Sequence, residues 1–176
     1  METLRADAQR NLGLVLDAAA EAFAESGPDV SVDEIARRAG VGHATVFRRF
    51  PTKGSLIAAV AQARLSELIA LAQAALAEDD AGAAFHGFVW RVAELHAHSR
   101  GLYECFDRCL GAAESVELRE VVARLVERAQ AAGSVRSDFG AEDVSTLVGA
   151  AIRSAPPEQW RRYVGVVLDG LRPPAR

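Results

Sequence analysis

The sequence predicts an all-α fold, and three observations carry that reading. Half of the 176 residues are hydrophobic and a quarter are charged, the balance of a chain that folds around a core. Alanine is abundant while aromatics make up only 6% and β-branched runs are short, so summed helix propensity is favourable through most of the length. Apolar residues recur at helical spacing in one stretch after another, with Gly and Pro falling between the stretches. A chain of this length makes one compact unit or two small ones sharing a core.

A first helix is expected from about Asp7 to Ser26, with Leu12, Val15, Leu16, Ala19, Ala22 and Phe23 on one stripe. Gly27 and Pro28 end it. Ser31-Val32-Asp33-Glu34 then has the form of a capping box, in which the Ser hydroxyl accepts from the backbone N–H three residues on and Glu34 reaches back. The second helix is short, because Gly40 follows Ile35, Ala36 and Ala39 and can take the positive φ of a sharp turn. A third short helix is expected from about His43 to Phe50. Pro51 blocks its continuation, and Thr52 caps a long fourth helix running towards Leu76. Further on, apolar periodicity predicts helices near 82–98, 100–111, 114–132, 141–154 and 157–171, with Pro157 as a first helical residue. The tail at 173–176 is expected to fray.

Composition excludes several classes of function. A net charge of −4 rules out nucleic-acid binding through a generally basic surface, so any such contact needs a local patch. The two cysteines, Cys105 and Cys109, stand four apart on a helical stretch where a disulfide is awkward, which fits a reducing cytoplasm. No leader with an apolar core and a small-residue cleavage site is read at the N-terminus, and no apolar run is expected to reach the roughly 18 residues of a membrane span. Neither a Gly-rich phosphate loop, a nucleophile elbow nor a carboxylate pair with a positioned base is found, so catalysis is not expected and no cofactor is called for.

The local patch lies between Arg37 and Lys53. Residues 1–56 carry seven basic against eight acidic residues, yet this segment holds Arg37, Arg38, Arg48, Arg49 and Lys53 with no acidic residue among them. Ile35, Ala36, Ala39, Gly40, Val41 and Val46 have the spacing of a helix-turn-helix: a small Ala at the crossing, a Gly at the turn, apolar residues locking the pair. The third helix then presents His43, Ala44, Thr45, Phe47, Arg48 and Arg49 outward, with Val46 and Phe50 inward. Ser31, Lys53 and the first-turn amides of the fourth helix are assigned mainly to phosphates, which position a protein on DNA. Thr45, Arg48 and Arg49 suit either phosphates or base edges. The bland alternative is that Ala and Gly merely serve a tight helix pair and the arginines a solvated face.

The run Val32-Asp33-Glu34-Ile35-Ala36-Arg37-Arg38-Ala39-Gly40-Val41, then Ala44-Thr45-Val46-Phe47-Arg48-Arg49-Phe50-Pro51-Thr52-Lys53 and Leu56, resembles the TetR family of repressors (TetR/AcrR type), over about a third of the chain. The resemblance implies a DNA-binding domain at 1–53, a helical ligand-binding and dimerisation domain at 54–172 joined to it by the long helix, and a disordered tail at 173–176. It implies that residues 43–49 read the major groove and that Lys53 anchors the next helix to the backbone. Where the family often has a capping Ser, a Tyr and an acidic residue, this chain has Gly42, Phe47 and Gly54. Without a hydroxyl, the Phe47 contact becomes ring packing against sugar or a thymine methyl.

The same resemblance implies a homodimer on a palindromic operator in double-stranded DNA, released by a small-molecule effector. Candidate interface residues are Val144, Leu147, Val148 and Ile152 on one stripe and Trp160, Tyr163, Val164, Val167, Leu168 and Leu171 on another, pairing across a two-fold as a four-helix bundle; ordinary core is the alternative. Candidate pocket residues are Phe85, Phe88, Trp90, His96, Tyr103, Cys105, Phe106 and Cys109, aromatic and soft side chains of the kind that line apolar sites. His86, His96, His98 and the two cysteines have poor spacing for zinc, so no metal is assigned. A helical protein-interaction module or a redox- or metal-sensing regulator is the alternative function.

Overall fold

All regular structure among the described residues is helical, as the composition predicts. The computed structural model describes residues 2–99, 101–102, 116–156 and 158–174. They form two compact units, one of Met1–Arg64 with the segment that opens at Ser99, the other of Leu65–His98 with the residues from Val116 onward.

In the first unit, α1 spans Glu2–Ser26, beginning five residues before the expected Asp7. It stops where Gly27 takes φ 68° and Pro28 enters a single 3-10 turn over Gly27–Asp29. α2 covers Val32–Ala39 and α3 covers His43–Arg49. Between them Gly40 is left-handed at φ 67°, its N–H donating to the Arg37 carbonyl at 3.2 Å while Val41 N–H donates to Ala36 at 3.1 Å. This paired closure satisfies carbonyls that the end of α2 would otherwise leave unpaired, and it sets the turn into α3. α4 is Lys53–Leu76. Phe23, Ile35, Val46, Leu56, Val60 and Leu102 are fully buried together, around the small Ala19, Ala22 and Ala36 where helices pass close. Each large side chain so buried contributes on the order of 1.5–3 kcal/mol, which is how a seven-residue helix such as α3 holds its shape.

The caps of α2 and α4 differ from expectation in opposite directions. Ser31 Oγ accepts from Glu34 N–H at 3.2 Å as expected, but the Glu34 carboxylate turns away to Arg37 and Arg38, so only half of the capping box forms. At α4, Thr52 Oγ1 accepts from Ser55 N–H at 3.1 Å and Ser55 Oγ accepts from Thr52 N–H at 3.2 Å, a reciprocal box that the sequence reading saw only from the Thr52 side. α4 is also long and apolar enough, by length and composition alone, to cross a membrane. That corrects the expectation that no such run exists: interspersed alanines keep the stretch apolar without making it a block of large residues.

The second unit holds the C-terminal part of α4, α5 (Ala81–His98), α6 (Val116–Ala131), α7 and α8 (Trp160–Gly170). α7 runs over 141–154 as Ala141–Asp143, a single π turn at Val144–Val148 and Gly149–Ser154. Ser145 and Thr146 hydroxyls both donate to the Glu142 carbonyl, at 3.1 and 2.9 Å, side-chain competition of the kind that loosens a helical ladder. Pro157 lies outside the described residues, and α8 starts at Trp160 rather than at 157. Arg128 of α6 donates to the Leu76 and Glu78 carbonyls at 2.5 and 2.8 Å, closing the end of α4.

Phe85, Phe88, Val89, Val122, Leu125, Val148, Ile152, Val164 and Leu168 form the core of this unit. That placement corrects the expected interface: Val144, Val148, Ile152, Trp160, Val164, Leu168 and Leu171 are buried inside their own chain. Their stripes are the inward faces of α7 and α8, so the ordinary-core alternative holds for them. Leu147 and Tyr163 remain outside, 41% and 40% exposed, Val167 is half-buried, and Val166, absent from the expected set, is 66% exposed.

Candidate nucleic-acid interface

α3 is fastened from one side and open on the other. Val46, 1% exposed, and Phe50 anchor it in the first core, while His43, Ala44, Thr45, Phe47, Arg48 and Arg49 are all exposed. The helical period does this, since position 46 faces the crossing with α2 and its neighbours on either side cannot. Ser31 is exposed at the cap of α2 and Lys53 half-buried at the first position of α4.

Charge on this surface is narrower than the sequence implies. Arg37 donates to Glu34 through Nε at 2.9 Å and Nη2 at 2.7 Å; Arg38 donates to Glu34 at 2.9 Å and to Glu25 of α1 at 2.6 Å. The Glu34 carboxyl is held down to about 2 by these hydrogen bonds, Arg37 first and Arg38 second, and both guanidinium groups are pushed up in turn. Two of the five cations are thus spent within the protein, Arg38 tying α2 to α1. No ion pair among the described residues engages Arg48, Arg49 or Lys53. These three are the cations left to meet an anion.

The first turn of α3 carries a contact that the linear sequence hides. His43 Nδ1 lies 3.1 Å from Asp33 Oδ1 on α2, and its ring meets Phe47 edge-on, centroids 4.4 Å apart at 75°. Asp33 and His43 stand ten positions apart on two helices with a turn between them, so no helical spacing could have paired them; His43 to Phe47, at i and i+4, was within reach of sequence reasoning. Phe47 is 44% exposed, a large apolar ring presented to solvent beside the cations.

The candidate pocket residues divide. Phe85 and Phe88 are core, and Trp90 packs on that core with its ring 6.3 Å from that of Trp160. His96 is half-buried, and loss of hydration, then the Arg153 charge, lowers its imidazole to about 4, so it is neutral at ordinary pH. Tyr103, Cys105, Phe106 and Cys109 lie outside the described residues, as does most of the helix expected at 100–111.

With this geometry in view, comparison with known proteins bears on both units. Residues 15–60 match the family model described as bacterial regulatory proteins, tetR family, and residues 80–173 match that of the C-terminal domain of SbtR-like transcriptional regulators. The chain is 33% identical over 145 residues to an uncharacterised HTH-type transcriptional regulator of Mycobacterium tuberculosis, covering 77% of this chain and 75% of that protein. Among solved structures it resembles a TetR transcription regulatory protein from Mycobacterium vanbaalenii, with TM-score 0.75 and 36% identity over 96% of this chain and 99% of that one. A TetR transcriptional regulator from Streptomyces coelicolor gives TM-score 0.74 and 29% identity, over 93% and 99% of the two chains.

Proposed function

The chain belongs to the TetR family of bacterial regulatory proteins, and from that premise we propose that it represses transcription by seating α3 in the major groove of a palindromic operator, as a homodimer released by a small-molecule effector. The observation that carries the reading is the division of α3 into a buried anchor, Val46, and an exposed face whose cations Arg48 and Arg49, with Lys53 beside them, have no acidic partner among the described residues. A structural helix pair has no use for unpaired cations; a phosphate backbone does. Lys53 and Ser31 take phosphates, while His43, Ala44, Thr45, Phe47, Arg48 and Arg49 face the groove.

Two readers are needed to cover two half-sites one DNA turn apart, which is the physical argument for a dimer. Leu147, Tyr163, Val166 and Val167 supply the remaining apolar surface on α7 and α8 for that contact. For the effector site we favour α5, which carries Trp90 and the neutral His96 along with Phe85 and Phe88 of the apolar core. A partner that is intracellular DNA fits a cytoplasmic protein, and α4 buries Leu56, Ile57, Val60, Ile69, Ala72 and Ala75 within the protein.

Selection of bound fragments from genomic DNA by the purified full chain tests the reading. An inverted repeat with half-sites about one helical turn apart is expected. Failure to retain any duplex in dilute buffer overturns it. For the effector, a titration of small apolar compounds against the assembled operator complex is expected to find one that releases the DNA.

A further inference from the structure

We propose that Asp33, which lies on α2 outside the reading helix, is a specificity-determining positioning residue: its carboxylate holds the His43 imidazole in the Nδ1–H form, so that Nε2 meets the operator as a hydrogen-bond acceptor and selects a base whose exocyclic amino group lies in the major groove, adenine or cytosine. The proposal rests on the reading of α3 as the operator-facing helix. Asp33 Oδ1 stands 3.1 Å from His43 Nδ1. A bare nitrogen lone pair at that distance would face a carboxylate oxygen in repulsion, whereas a proton on Nδ1 turns the contact into attraction. A neutral imidazole carries one proton, so placing it on Nδ1 leaves Nε2 with its lone pair.

The ring is braced as well as protonated in a defined place. Phe47 meets it edge-on at 4.4 Å, one turn further along α3. Asp33 grips one side of the imidazole and Phe47 backs it, yet the His43 side chain remains 53% exposed and that of Asp33 74%. The far nitrogen therefore faces outward from a ring that is already oriented before DNA arrives, and little side-chain freedom remains to be lost on binding.

An acceptor in the major groove discriminates sharply. Adenine N6 and cytosine N4 are donors there, while guanine and thymine offer acceptor oxygens that would confront the Nε2 lone pair. A phosphate oxygen would confront it too, so His43 in this form reads bases and does not merely anchor the backbone. Asp33 is thus coupled to one base pair of each half-site without touching it.

The test is selection from a random duplex library at neutral pH with the full chain and with Asp33→Ala, Asp33→Asn, His43→Phe and the Asp33→Ala/His43→Phe double variant. In the parent protein one base pair of the half-site is expected to be preferred by roughly tenfold over its alternatives, the worth of one good hydrogen bond. Asp33→Ala and His43→Phe each flatten that same position, leave the others unchanged, and together flatten it no further than either alone. Asp33→Asn retains part of the preference, because its amide oxygen still accepts from Nδ1–H. Long-range proton–nitrogen NMR of the free chain is expected to show His43 protonated on Nδ1, with the proton moving to Nε2 in Asp33→Ala. That measurement stands even if a variant folds poorly. An Nε2–H form in the parent, or Asp33→Ala and His43→Phe profiles identical to the parent's, would each overturn the proposal. If the parent selects an operator that Arg48→Ala alters while those two variants do not, this inference alone falls; if the parent selects no sequence, the operator reading of α3 falls with it.

Discussion

At the scale of single residues, Glu34 shows how one carboxylate shapes the surface proposed to face DNA by withdrawing cations from it. Its folded value of about 2, against an ordinary 4.5, means that its pairing with Arg37 and Arg38 contributes stability in full above about 4.5 and loses it as pH falls toward 2. Melting temperatures of the parent protein and Glu34→Gln are therefore expected to differ near neutrality and to converge across that window. Because the group is exposed, added salt should shrink the difference at every pH. Lys53 behaves in the opposite sense, as a cation without a partner among the described residues. Lys53→Ala is expected to weaken binding to all duplexes alike and to lower the slope of log affinity against log salt by about one per subunit. Arg48→Ala should instead shift base preference by about 1–3 kcal/mol if it meets a base edge, seen as a changed selected sequence. The cations were legible in the sequence because they are simply there. Which of them are spent on Glu34 and Glu25 was not, since Arg38 reaches Glu25 across 13 positions.

Helix ends govern the next scale. The Thr52–Ser55 box opens α4 directly after α3, so its loss would loosen the placement of Lys53 as well as the helix start. Thr52→Ala is expected to cost about 1 kcal/mol in denaturant unfolding, the usual worth of an N-cap. Gly101 fixes another junction. A Cβ there would stand 2.5 Å from the Phe23 carbonyl oxygen and 2.7 Å from that of Ala24, both backbone atoms at the end of α1. Gly101→Ala should therefore destabilise the first unit by about 1–3 kcal/mol, through displacement of the segment that carries the buried Leu102. Thr52 as a cap and Gly40 as a turn were readable from residue type, because capping and left-handed φ are local chemistry. The half-made box at Ser31 and the π turn in α7 were not. In each, side chains that look correctly spaced took a different partner once neighbouring groups were in place.

For the whole molecule, the question is how much apolar surface the chain leaves uncovered. Val166 at 66% exposure, with Tyr163 and Leu147, is the surplus on α7 and α8. Val166→Glu is expected to shift the protein from dimer to monomer in sedimentation and to weaken operator binding, since one reader alone covers one half-site. An unchanged dimer would move the interface elsewhere. The sequence by itself determined the helical class, the order of the described helices, the buried anchor of α3 and the family, because propensity, period and capping act within a few residues and the motif that carries the resemblance is contiguous. Only the tertiary structure decided which apolar stripe of α7 and α8 is core and which is surface, which arginines are spent on acids, and that Asp33 grips His43. A stripe says that a helix has an apolar side but not what covers it, and contacts between helices are set by packing that no spacing along the chain encodes.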